Sequence, residues 1–372
     1  MKILFGVVGI GLGHATRSEA IIRQLQKVAN VKVITWGPAH EYFKKVGINS
    51  HSIGGYEYKG EKYTFNVLFN IFDTFKDPGK LRREYYHFAK LGDAFKPDVV
   101  FGDSDPNTFF YAYRRNLPNY SLSNLITTID NYDKIPKHLK GRDLVLQNFM
   151  VQRLMNYMLK RGTRIFVPSF ESKVRYRDKV RYTDLIIRKK LGELPSEQKI
   201  REKLGIDEDF YLVSVGGSDI EKSLFKVLMK ILPKFKDKKF IISSNFITKK
   251  VETEKNMTIY PFINNMLEYL KICKGVIAPA GHSTISEAIC YKKPIMAVPV
   301  INHVEQLVNA SLIQKDGFGE ACFLQEKLNG TDIRKCIEKF FKSEETIRQR
   351  LNIFKFRGEG AEEIARAITT GY

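Results

Sequence analysis

The chain is expected to fold as an α/β protein of two doubly wound domains facing each other across a cleft. Three observations predict this. Strand-like apolar runs alternate with helical patterns in both halves, as parallel sheets wrapped by helices require. The 372 residues exceed one ordinary core, so two domains of about 150–200 residues are the natural division. Glycine turns follow strands near the start of each half, at Gly9–Gly13 and Gly216-Gly217, where open α/β sheets hold ligands.

In the first half the strands are Ile3–Val8, Val31–Trp36 and Asp98–Gly102, with an amphipathic helix at Ser18–Val28. In the second they are Tyr211–Val215, Lys239–Ser243, Met257–Tyr260, Gly275–Ala278 and Ile295–Val298. Helices are expected at Glu221–Leu232, Met266–Ile272, Ser283–Tyr291 and Glu305–Lys315. The divisions are an N-terminal domain over 1–165, a basic linker region over 166–205 punctuated by Pro195-Ser196, a second domain over 206–346, and a final helical segment over 347–372 that breaks at Gly358–Gly360.

Hydrophobic residues at 43% and charged residues at 27% describe a soluble globular protein without a spanning segment, since no apolar run reaches about 18 residues. Lys2–Ile10 is too short an apolar run, and lacks the cleavage site, for a signal peptide. Cys273, Cys290, Cys322 and Cys336 contain no C-x-x-C pair, so neither a zinc site nor a disulfide framework is expected, and reduced thiols in the cytoplasm are the default. The net charge of +20 is uneven: residues 134–203 hold 19 Lys/Arg and 7 Asp/Glu, which is +12 of it. Such a field attracts anionic lipid surfaces, nucleic acid or an acidic substrate.

The strand Ile3–Val8 runs into Gly9-Ile10-Gly11-Leu12-Gly13-His14-Ala15-Thr16-Arg17. A dinucleotide fingerprint needs glycine at position 14 and an acid after the second strand, and neither is present. The Lys-Ser/Thr ending of a P-loop is also missing. What remains is a flexible loop presenting His14 and Arg17 at a helix start, and histidine accepts a proton near neutral pH. The second turn, Val215-Gly216-Gly217-Ser218-Asp219, leaves room for phosphate oxygens, although the Asp219 carboxylate would repel them unless it points away.

Residues 276–310 read as two successive strand-loop-helix turns with polar groups at each helix start. In the first, Pro279-Ala280-Gly281 opens a helix at His282-Ser283-Thr284, and free N–H groups there favour an anion. Glu287 has capping-box spacing from Thr284, so it either folds back on its own helix start or accepts both hydroxyls of a ribose. In the second, Asn302-His303 precedes a helix carrying Glu305, Gln306 and Asn309.

Three ordered pieces, GHSTISEA, KKPIMAVP and HVEQLVNA, lie within these 35 residues. Together they resemble the donor-binding region of MurG-type UDP-sugar glycosyltransferases, of glycosyltransferase family 28 and its archaeal relatives. The resemblance implies the two-domain GT-B architecture, with the final segment crossing back to the N-terminal domain. It also implies that His14 lies near the acceptor hydroxyl and the donor diphosphate, with Gly13, Gly216, Gly217, Ser218, Gly281, His282, Ser283 and Thr284 around the phosphates. Glu287 would hold the ribose, Glu305 and Gln306 the sugar, and Tyr260–Met266 resembles the segment that holds uracil, with Phe262 packing and Ile263 offering its backbone. Arg17 is assigned to the acceptor.

Asp103-Ser104-Asp105 follows a strand, and its carboxylates are candidates to support His14, to act as base, or merely to cap the loop. Two carboxylates are a weak metal signal, and helix dipoles can stabilise leaving UDP, so no metal or other cofactor is expected. Residues 56–95, rich in Tyr, Phe, Lys and Arg, suit a membrane interface or an acceptor with an apolar tail and acidic head, which is the reading taken, although such a mixture also suits RNA. The expected activity is transfer of a hexose-type sugar from a UDP-sugar to an acceptor hydroxyl with inversion, on a lipid-linked acceptor or at the inner face of the membrane. The competing readings are a UDP-sugar 2-epimerase of the same architecture and a non-catalytic protein that binds RNA or membranes.

Overall fold

A computed structural model describes residues 1–55, 63–65, 77–170, 177–216, 219–248, 251–253, 256–263 and 265–370. Ser218, Gly217 and most of the aromatic stretch between 56 and 76 lie outside the described residues.

The first sheet is built from β1 (Lys2–Val7), β2 (Asn30–Thr35), β3 (Ser50–Ser52), β4 (Val99–Asp103), β5 (Asn119–Leu122), β6 (Arg164–Pro168) and β7 (Val180–Thr183), in the order β3-β2-β1-β4-β5-β6-β7. Every pairing in it is parallel. The central strands β1 and β4 are apolar along nearly their whole length because helices cover both faces. The first sheet extends to Thr183, into the stretch expected to be a linker. Its basic residues there belong partly to edge strands.

The second sheet comprises β8 (Tyr211–Ser214), β9 (Phe240–Ser243), β10 (Val251–Thr253), β11 (Met257–Tyr260), β12 (Gly275–Pro279), β13 (Ile295–Val298) and β14 (Gly319–Ala321), in the order β10-β11-β9-β8-β12-β13-β14. Only β10 runs antiparallel, on β11 at the edge. Strand order reverses between β1 and β4 in one sheet and between β8 and β12 in the other. Open α/β sheets bind ligands outside such a reversal, at the carboxyl ends of the strands.

The final segment is two helices, Gly330–Ile353 and Gly360–Thr370. Ile347 and Leu351 of the first belong to the second domain's core. Ala361, Ile364, Ala365, Ala367 and Ile368 of the second pack with Ala15, Ile21, Ile22 and Leu25 in the first domain's core. The chain therefore crosses back between the two helices. Asp184 receives that crossing, accepting from the amides of Arg357 at 3.0 Å and Glu359 at 3.1 Å.

A disulfide joins Cys322, just beyond β14, to Cys336 in the helix Gly330–Ile353. This corrects the expectation of four reduced thiols: the fold brings together two cysteines whose 14-residue spacing matches no short motif. Cys273 and Cys290 are free and buried. Among the described residues no helix is long and apolar enough to cross a membrane.

Candidate active site at the domain cleft

The loop after β1 carries His14 into the first turn of the helix Gly13–Gln26. Asp103 ends β4, the neighbouring strand across the order reversal, with its Cα paired to that of Val7. Its fully buried carboxylate accepts from Arg17 Nε at 2.7 Å, from Ser18 Oγ at 2.8 Å and from Arg17 Nη2. His14 Nδ1 lies 2.9 Å from Asp103 Oδ1 and 2.9 Å from Arg17 Nη2. Burial opposes ionisation of Asp103, but the adjoining Arg17 charge, His14 and their hydrogen bonds outweigh it and hold the carboxyl well below the usual range. With Nδ1–H donating a hydrogen bond to the ionised Asp103, Nε2 is the unprotonated, basic nitrogen of His14. The ring is 30% exposed and can meet a substrate.

Arg17, assigned to the acceptor by its position in the loop, is instead buried and turned inward. The reason is electrostatic, since a buried carboxylate as enclosed as Asp103 needs a paired cation. Asp105 has a different role from Asp103. Its carboxylate caps the helix Pro106–Arg115, accepting from the amides of Asn107 at 3.2 Å and Thr108 at 3.1 Å. Burial pushes it up to about 6 against those two bonds. The loop-capping alternative is the one found, because the first helical amides of Pro106–Arg115 have no intrahelical acceptor.

Opposite this loop, β12 leads into the helix His282–Cys290, capped by Gly281 without a side-chain bond. The capping box of Thr284 and Glu287 is not formed. Nothing lies within 4 Å of where a Gly281 side chain would project, so the backbone there is open to a ligand. Ser283 Oγ donates to the Gly13 carbonyl at 2.8 Å, joining the two glycine turns across the cleft. His282, expected at the phosphates, is buried and stacked on Phe170 with ring centroids 5.4 Å apart. Burial and the nearby Arg17 charge push its imidazole down to about 4. Its side chain is core, and only its backbone N–H sits at the helix start.

Glu287 is gripped by Arg188, Nε to Oε1 at 2.7 Å and Nη2 to Oε2 at 2.9 Å. Arg188 reaches it from the segment after β7 and raised no expectation in the sequence. Its signal was an arginine ending the apolar run Leu185–Ile187 inside an otherwise basic stretch. Each carboxylate oxygen keeps a second lone pair for another donor.

The second turn ends β13 and opens the helix Val304–Asp316, whose cap His303 accepts through Nδ1 from the Gln306 amide at 3.4 Å. Gln306 Oε1 accepts from Val300 N–H at 3.0 Å, so its side chain is tied back over the turn. Asn309 donates to the Ala280 carbonyl at 3.1 Å and ties the second turn to the first. Burial opposes the charge of Glu305, yet His303, Arg17, His14 and His282 around it hold its carboxyl below the ordinary value.

At the remaining glycine turn a side chain on Gly216 would meet the Glu221 carboxylate at 2.2 Å, so Glu221 packs directly under the backbone there. Sequence reasoning had weighed Asp219 and overlooked Glu221. Ile263 is buried in the second domain's core. Phe262 packs against the first domain's core, with Lys45 Nζ 4.6 Å from its ring centroid. Phe262 thus serves the domain interface, with one face already occupied.

The sequence pattern of glycosyl transferase family 1 matches residues 1–341. The chain belongs to that family. This glycosyltransferase is 26% identical over 336 residues to an uncharacterized glycosyltransferase of Methanosarcina mazei, covering 86% of this chain and 85% of the relative. It is 24% identical over 322 residues to the UDP-N-acetylglucosamine--N-acetylmuramyl-(pentapeptide) pyrophosphoryl-undecaprenol N-acetylglucosamine transferase of Thermosipho africanus, covering 84% of each chain. The MurG-type resemblance is thereby upheld. Among solved structures, Staphylococcus aureus MnaA with UDP superposes with TM-score 0.64 at 13% identity, over 100% of this chain and 97% of that one. The Streptomyces glycosyltransferase SsfS6 gives 0.62 at 14% identity over 99% of each. Both show the GT-B fold.

Proposed function

We propose that this glycosyltransferase moves a hexose-type sugar from UDP to an acceptor hydroxyl with inversion. The observation that supports the reading is the Asp103–His14 pair, on a histidine ring 30% exposed at the order reversal of one sheet, opposite the open Gly281 helix start at the reversal of the other. Nε2 takes the acceptor hydroxyl proton as that oxygen bonds to the anomeric carbon. The bond from that carbon to the β-phosphate oxygen breaks, and UDP leaves with the electron pair. Charge developing on UDP meets the amides at Gly281–Ser283, where a helix start contributes about 0.3–1 kcal/mol when exposed and up to about 2 kcal/mol when partly buried. The reaction as proposed needs no metal. Glu287 accepts the ribose hydroxyls on its free lone pairs, while Glu305 and the Gln306 amide nitrogen meet the sugar.

The acceptor is proposed to be lipid-linked, met at an anionic membrane surface on the cytoplasmic side. The Thermosipho relative's name specifies a pyrophosphoryl-undecaprenol substrate. Support within this chain comes from the helix Arg142–Arg161, which exposes Val145, Phe149 and Leu154, with Arg153 5.2 Å from the Phe149 ring. Tyr86, Phe110 and Tyr113 are exposed nearby in the same domain, among arginines. Apolar rings with basic neighbours suit an interfacial position.

A thermal-shift panel of nucleoside diphosphates and UDP-sugars tests the donor, since a ligand at 100 times its dissociation constant adds about 2.7 kcal/mol of stability. Incubation with UDP-sugar alone then reads the sugar's configuration. Stabilisation by UDP with no change of configuration supports transfer, and an altered configuration without any acceptor identifies an epimerase. Absence of stabilisation by any uridine nucleotide overturns the donor assignment.

A further inference from the structure

Residues Tyr63–Phe65 come from the first half of the chain but pair with the second domain. Thr64 forms a parallel bridge with Ile301, the Ile301 N–H donates to the Tyr63 carbonyl at 3.1 Å, and the Phe65 N–H donates to the Ile301 carbonyl at 2.9 Å. The Tyr63 side chain is fully buried within the second domain's core, and its hydroxyl donates to the Val298 carbonyl at 2.6 Å. The Phe65 and His303 ring centroids are 5.0 Å apart. Tyr63 has a φ of +64°. A bulky residue holds that left-handed conformation only where its surroundings dictate it.

These contacts converge on one short piece of chain. Val298 ends β13, His303 caps the next helix, and Glu305 and Gln306 occupy that helix's first turn. Gln147, on the helix Arg142–Arg161, holds the same turn from the other side, donating to the Asn302 carbonyl at 2.6 Å and accepting from the Val304 amide at 3.2 Å. The turn proposed to face the sugar is thus held on its outer side by Tyr63, Phe65 and Gln147 from the first half of the chain, in addition to its own internal bonds. The Gly281 turn meets the first half at different residues, through Ser283 to the Gly13 carbonyl and through the His282 ring stacked on Phe170.

We propose that Tyr63 is a positioning residue for the transferred sugar, holding the 298–303 turn so that Glu305 and Gln306 meet the sugar of the donor. The proposal rests on the donor site described above. Because the Tyr63–Phe65 contacts go to Val298, Ile301 and His303, the effect falls on recognition of the sugar rather than of UDP.

The test compares wild type with Tyr63→Phe, which removes one hydroxyl and keeps the ring, and with Phe65→Leu, which keeps the backbone pairing. Three quantities are measured: Kd for UDP by calorimetry, KM and kcat for the UDP-sugar, and amide hydrogen exchange along 281–306. Tyr63→Phe should leave the UDP Kd within about twofold, raise the UDP-sugar KM about tenfold, and speed exchange at 300–304 but not at 281–287. Phe65→Leu should shift KM in the same direction. Unchanged KM and exchange in a wild type that binds UDP overturns the proposal alone. An equal loss of UDP and UDP-sugar affinity also overturns it, because that marks general loosening. A wild type that binds no UDP overturns the donor site itself.

Discussion

Arg188 holds Glu287 in a two-pronged grip, with both carboxylate oxygens engaged and both side chains mostly buried, at 16% and 11% exposure. Behind it, the Tyr42 hydroxyl lies close enough to Arg188 to perturb it and donates to Glu19 at 2.5 Å. The arginine thus links the helix carrying the proposed ribose ligand to two helices of the first domain. Burial opposes the Arg188 charge, and Glu287 more than restores it, so its pKa is raised.

Removing one partner leaves the other charge stranded. Arg188→Ala should cost about 3–5 kcal/mol in a urea melt, and adding Glu287→Gln should recover part of that loss. An Arg188→Ala loss below about 1 kcal/mol would show that the pair is solvated rather than buried.

His14 and Asp105 separate by activity. His14→Ala should lower turnover by about 10²–10⁴-fold with UDP affinity nearly intact, as for a positioned base. Asp105→Ala should lower stability by about 0.5–2 kcal/mol through the lost cap and leave turnover within a few-fold. The reverse pattern would move the base from His14 to Asp105.

His282 makes stability depend on pH. Its folded value of about 4 lies below the ordinary histidine value, so the unfolded chain takes up its proton first as pH falls. Stability from this group is complete above about pH 6.5 and is lost down to about pH 4, by roughly 3 kcal/mol. Asp105, raised to about 6, acts in the opposite sense between about pH 4 and 6, because its contribution fades as pH rises. The measurement is therefore the difference between wild type and His282→Phe in melts at pH 4 and pH 7. A difference that does not vary with pH removes His282 as its source.

The Cys322–Cys336 bridge closes a loop of 14 residues in sequence separation. Reduction, or Cys322→Ser, should lower stability by about 3 kcal/mol. Identical melts with and without reductant would show that the bridge contributes nothing in solution.

Much of the scaffold was readable in the chain. β1, β2, β4, β8, β9, β11, β12 and β13 lie where apolar runs placed them, because strands buried on both faces are nearly all apolar. The strands β5, β6 and β7 were overlooked: Asn119, Arg164 and Arg181 interrupt short runs, and an edge or near-edge strand tolerates such residues. In the site, the glycine turns and His14 could be found from local pattern. What Arg17, Glu287 and Tyr63 do could not, since their partners are 86, 99 and 235 residues away and a single long-range pair leaves no periodic mark.

The crossing between the last two helices has a mechanical consequence. β1 and the helix Gly360–Thr370 sit in the same half, and the outgoing chain at Ile186 forms a single antiparallel bridge with the returning chain at Glu359. The chain therefore enters and leaves the second domain side by side. Tension applied at the chain ends would peel the Gly360–Thr370 helix from Ala15, Ile22 and Leu25 first, and would reach the second sheet only after the first domain had begun to open.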